Sequence, residues 1–84
     1  MNFDEYQSLI EGRIDSGLTD KGRETEALCG MNAEVGKINQ DRLNTLFQVK
    51  NDELEEQMHI NKLVRYVAEY CIAKGWKMGD IVSR

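Results

Sequence analysis

The sequence has no proline, two cysteines, one histidine and one tryptophan. Without proline, nothing forces a helix to break, so long helices are open to this chain. Cys29 and Cys71 stand 42 positions apart, forming neither a CxxC motif nor a disulfide framework, and the expected compartment is a reducing cytoplasm. The longest unbroken apolar run is four residues, Tyr70 to Ala73, against the roughly 20 that a membrane helix needs. The opening MNFDEYQ has no basic region leading into an apolar stretch, so no secretory signal is expected.

What remains is 84 residues and 9.7 kDa, read as one domain spanning 1–84. A domain this small buries only roughly 60–65% of its unfolded surface. It has no spare core for a large internal active site. With 40% apolar residues and a net charge of −4, the composition is that of a globular protein. The charge is unevenly placed. Residues 1–59 carry 13 acids against 6 Lys and Arg, whereas residues 60–84 carry 5 Lys and Arg against 2 acids. The acidic whole argues against a general nucleic-acid coat but leaves room for a local cationic face.

The periodicity predicts an all-α protein with three main helices and a short fourth. Asn2 is placed to cap the first, with Glu5 three residues on, and Phe3, Tyr6, Leu9, Ile10 and Ile14 recur at helical spacing. Gly17 to Gly22 reads as a loop. The second helix runs from Asp20 or Arg23 to the region of Ile38, with a continuation to Phe47 left open, and its apolar stripe is Leu28, Met31, Val35 and Ile38. Gly30 and Gly36 weaken it unless close packing uses their missing side chains. Asn51 or Asp52 caps the third helix. Acids fill its first turns, where the helix dipole favours them. Ile60, Leu63, Val64, Val67, Ala68, Cys71 and Ile72 form its apolar face, and Gly75 ends it. Trp76, Met78, Ile81 and Val82 supply a short docking helix.

Three segments carry a resemblance to a known family: NFDEYQ, EALCGMNAEVGK and KLVRYVAEYCIAKGWKMGDIV. Together they resemble the all-α nucleoside triphosphate pyrophosphohydrolases of the MazG type, especially the short phage-encoded versions. The resemblance covers most of the chain and implies a helical bundle completed by dimerisation. It also implies Mg²⁺ held by an E-x-x-E pair and a downstream E-x-x-D pair, because residues three apart share one side of a helix. In this sequence those four positions fall on Glu34, Lys37, His59 and Lys62, so one carboxylate survives. An ammonium repels Mg²⁺, and no metal, cofactor or catalytic residue is assigned. A shifted register through Glu53 and Glu56, with Glu24 and Glu26 upstream, would rescue a Mg²⁺ site. The simpler reading of Glu53 and Glu56 is dipole-stabilising charge.

His59, Lys62, Tyr66 and Tyr70 project along one flank of the third helix, about a third of a turn from its apolar centre. Facing Glu34 and Lys37, that flank would make the former metal pocket cationic and aromatic. Lys37, Lys62 and Arg65 are the expected phosphate contacts, with Tyr66 or Tyr70 as a stacking surface for RNA or a nucleotide. The expectation is therefore a catalytically degenerate binding protein without a metal or cofactor: a phage-type regulatory or host-directed module in the host cytoplasm, homodimeric, with RNA or nucleotide as ligand. Two alternatives stand beside it: a protein-binding inhibitor of a host factor, and a residual Mg²⁺-dependent pyrophosphohydrolase. Phe47, Trp76 and Met78 are possible interface anchors, with core packing the default for Trp76. Cys29 and Cys71 are expected to be buried small hydrophobes.

Overall fold

The computed structural model describes residues 1–14, 17–46 and 53–84. Phe47, Val49 and the candidate caps Asn51 and Asp52 lie outside the described residues. Four helices make up the fold: α1 (Phe3–Glu11), α2 (Asp20–Leu46), α3 (Glu53–Lys74) and α4 (Met78–Val82). No strand occurs among the described residues. Nor is any helix there long and apolar enough to cross a membrane.

Local chemistry sets the helix ends. The Asn2 side chain accepts from the Glu5 amide at 2.8 Å and caps α1. Gly75 ends α3 at φ 73°, a conformation that costs glycine nothing, and the Trp76 amide donates back to the Cys71 carbonyl at 2.9 Å. Short α4 lacks a side-chain cap of its own. Side chains of α1 supply the partners instead: Gln7 Oε1 accepts from the Met78 amide at 2.7 Å and Asp4 Oδ1 from the Gly79 amide at 3.0 Å. Gln7 Nε2 also donates to the Trp76 carbonyl at 2.7 Å, so one amide group fastens α1 to the α3–α4 turn.

Two packing centres follow. At one end Ile10, Ala68, Cys71 and Met78 form a small apolar cluster, with Tyr6, Ile14, Val64, Val67 and Ile72 against it. Along the rest of the molecule α2 and α3 lie antiparallel, as three contacts require: Glu24 with Lys74, Gly30 with Tyr66, Glu34 with His59. The pair is long. At about 1.5 Å per residue α2 spans roughly 40 Å, matching the longest dimension of 43 Å. The radius of gyration of 14.6 Å exceeds the about 12 Å of a compact chain this size.

The apolar stripe expected on α2 is only partly used. Leu28 and Val35 are exposed, Met31 and Ile38 half-buried. The side turned to α3 carries Ala27 and Gly30 instead, small residues that admit close approach, with Glu34 one turn on. A Cβ on Gly30 would sit 2.5 Å from the Tyr66 ring, whereas one on Gly36 would meet nothing within 4 Å. On α3, Ala68 and Cys71 are buried as expected, but Ile60 is exposed. Cys29 is exposed too, not buried, because it lies off the flank that meets α3.

The two glycines should therefore respond oppositely to alanine. Gly30→Ala drives a methyl group into the Tyr66 ring and should cost about 1–3 kcal/mol. Gly36→Ala, in open helix, should gain about 0.5–1 kcal/mol. Urea denaturation of both variants beside the parent measures the contrast.

Candidate functional site

Glu34 and His59 are the two buried polar or charged residues among the described positions, 4% and 8% exposed. Glu34 comes from the middle of α2 and His59 from the second turn of α3. His59 Nδ1 lies 2.6 Å from Glu34 Oε2. Burial by itself pushes the Glu34 carboxyl up, but the His59 hydrogen bond and the charges of Lys37 and His59 outweigh it and hold the group below its usual value. The carboxylate is thus the acceptor, and the His59 Nδ1–H donates.

The remaining atoms of the cluster are also spoken for. Lys37 Nζ lies 3.5 Å from Glu34 Oε1, one turn along α2. On the other ring edge, His59 Nε2 faces Glu55 Oε1 at 3.7 Å, one turn back along α3. Lys37 is exposed and its contact long, so it adds little compared with the buried pair. Lys62 is half-buried beside this cluster in sequence, with no ion-pair partner among the described residues.

The fold thus brings Glu34, Lys37 and His59 together. The resulting site has mixed charge, with Glu34 and Glu55 against Lys37 and the imidazole, and so differs from the cationic pocket expected of the flank. The aromatics differ as well. Tyr66 is half-buried against Gly30, with the Arg65 guanidinium 5.5 Å from its ring centroid. Tyr70 meets Trp76 edge to face at 6.0 Å between centroids. Both rings serve packing first. Trp76, expected in the core, is 48% exposed.

The acids of the shifted register do not converge. Glu24 pairs with Lys74 at 3.5 Å, and Glu26 lines a separate hollow with Arg13, Ile14, Leu18, Arg23 and Glu69. Glu53 is exposed and Glu56 half-buried at the start of α3. Among the described residues no three His, Cys, Asp or Glu side chains are grouped to hold a metal ion. In the hollow, burial raises the Glu69 carboxyl, only partly countered by Arg65 and reinforced by Glu26. Burial likewise raises the Cys71 thiol, which suits an inert core position.

A pH dependence follows from Glu34. A carboxyl held below its usual value of 4.5 in the fold stabilises the protein fully above that value. The contribution is lost as the pH falls through the lower folded-state value. Glu34→Gln should be less stable than the parent at neutral pH, and the difference should shrink on acidification. Denaturant midpoints followed by circular dichroism across the acid range test this; a constant difference would remove Glu34 from the acid response.

Compared with known protein families, characterised proteins and solved structures, the chain matches none.

Proposed function

We propose that the chain is a catalytically degenerate, MazG-like helical binding protein, homodimeric and without enzymatic turnover. It is a phage-type regulatory or host-directed module that takes the phosphate of RNA or a nucleotide at the flank of the α2–α3 site. The buried Glu34–His59 hydrogen bond of 2.6 Å carries this reading. In the family the chain resembles, the corresponding carboxylates hold Mg²⁺. Here the one retained carboxylate is bonded to an imidazole on one oxygen and approached by an ammonium on the other. Mg²⁺ needs several hard oxygen donors in near-octahedral array. These residues do not fit it.

Binding is what such a site can still offer. Lys37 is exposed at its edge, and Lys62 and Arg65 lie on the neighbouring turns of α3. Their charge can meet phosphate oxygens directly, one turn or two from the neutralised centre.

The proposed pairing of two copies draws on the surface. The chain exposes 6276 Å², against the about 5,100 Å² of a folded monomer of this mass. Leu28, Val35, Leu43 and Leu46 stand exposed on α2, and Leu54 and Met58 on α3. At about 100° per residue the four α2 side chains fall within roughly a quarter of a turn of one another. The same apolar surface favours a second reading, a protein-binding inhibitor of a host factor with no nucleic-acid role.

Incubation of the pure protein with nucleoside triphosphates and Mg²⁺ should release no pyrophosphate. Turnover abolished by Glu34→Ala would instead establish the residual pyrophosphohydrolase. RNA binding over a salt series should weaken as salt rises, and should be weaker in Lys37→Glu/Lys62→Glu than in the parent. Parent protein that binds no RNA or nucleotide would leave the protein-directed reading. Sedimentation equilibrium should return twice the chain mass.

A further inference from the structure

The one tryptophan of the chain lies where the core ends. Gly75 turns the backbone out of α3, and Trp76 follows it with nearly half its surface exposed. Tyr70 supports the ring from one side in an edge contact. Lys74 Nζ is 5.7 Å from the Trp76 centroid and 5.8 Å from that of Tyr70, and Glu24 holds the same ammonium at 3.5 Å. The ring is thereby braced as a platform. It borders a groove of about 600 Å³ lined by Gly75, Trp76, Lys77, Asp80, Ile81 and Arg84.

The charge of this groove runs against the rest of the molecule. Lys77 and Arg84 line it and Lys74 stands behind the ring, while Asp80 is the acid of the lining. The hollow at Arg13 and Arg23 differs, because Glu26 and Glu69 match its guanidiniums one for one. An exposed indole beside an aliphatic side chain suits a flat aromatic base, and flanking cations suit a phosphate.

We propose that this groove binds a phosphate-bearing nucleobase, free or within a single strand, with the base against Trp76 and Ile81 and the phosphate at Lys77 and Arg84. Asp80 offsets part of the cationic charge and is positioned in the lining to accept from an exocyclic amine or a ribose hydroxyl. The groove sits on the α3–α4 turn and uses neither Lys37 nor Lys62, so it stands or falls separately from the α2–α3 flank.

Because Trp76 is the sole tryptophan, its fluorescence, excited selectively over the three tyrosines, reports on this groove. The full chain is titrated at low salt with adenosine triphosphate, uridine monophosphate, a short oligouridylate, uridine and inorganic phosphate. Nucleotides or the oligomer should quench saturably, inorganic phosphate should not, and added salt should weaken the response. Lys77→Glu/Arg84→Glu should weaken binding about tenfold or more, while Lys37→Glu/Lys62→Glu leaves the quenching in place. Anisotropy of a labelled oligomer, measured in the Lys37→Glu/Lys62→Glu background so that only the groove is read, covers Trp76→Ala, which should lose about tenfold. Both groove variants change exposed side chains, and unaltered circular dichroism confirms their fold. A response to the oligomer alone assigns the source as single-stranded nucleic acid; an equal response to mononucleotides assigns a free nucleotide. Absence of saturable quenching, quenching indifferent to Lys77→Glu/Arg84→Glu, or an equal response to inorganic phosphate overturns the proposal and leaves the groove to a protein partner.

Discussion

The α2–α3 pair depends on one hydrogen bond between two groups that water would ordinarily hold. Glu34 and His59 face each other at 2.6 Å, and Ala27 is the buried apolar residue α2 contributes nearby. No large side chain among the described residues is fully buried anywhere in the protein. A long helix pair without a substantial apolar seam gains little from nondirectional burial. The polar pair adds something burial cannot, because it is satisfied in one register only. Sliding α2 by a turn against α3 would part the buried carboxylate from its imidazole donor, which is costly. Contacts at either side agree with that register: Tyr66 fills the space over Gly30, and Lys74 reaches Glu24.

The far end of the molecule works by a different principle. There Ile10, Ala68, Cys71 and Met78 exclude water, and the backbone of the α3–α4 turn is fastened by side chains from the other end of the sequence. Gln7 serves an acceptor and a donor, 69 and 71 residues away respectively, each at 2.7 Å. Asp4 completes the clasp at Gly79, where an added Cβ would lie 2.7 Å from its carboxylate oxygen. These bonds compensate for an α4 of only five residues, far too short to stand alone. The clasp also fixes the direction in which Trp76 leaves α3.

The helices and their ends are more legible in the sequence than the neighbours each helix packs against. Asn2 and Gly75 act locally, through one cap and one backbone angle, so their roles are visible in a few consecutive residues. The α2 stripe is different. Leu28, Met31, Val35 and Ile38 do share a side, but periodicity carries no information on what covers that side. The meeting with α3 turns instead on Ala27 and Gly30, whose spacing of three marks a flank of small residues that apolar periodicity passes over. Trp76 fails for a related reason: its size argues for the interior, yet Gly75 and the Gln7 clasp turn it outward. Glu34, Lys37 and His59 became candidates through motif positions. Their actual bonding, with Glu55 as a further neighbour, depends on a contact across 25 residues.

Charge and packing together explain why the molecule offers two separate surfaces. Antiparallel pairing puts Leu43 and Leu46, at the end of α2, on the same side of the molecule as Leu54, at the start of α3, and Trp76 at the opposite end of α3. The apolar excess of the first group is poorly suited to phosphate, since it brings acids at Glu53, Glu55 and Glu56 with it. Those acids belong there because the start of α3 favours negative charge. The same dipole favours cations at its finish, where Lys74 stands and Lys77 follows. One helix thus sorts the charges of a net acidic chain into an acidic, apolar end and a basic, aromatic end. A second copy covering Leu43 and Leu46 on α2 would leave the Trp76 end open, so the proposed pairing there and the proposed ligand groove would not compete for the same residues.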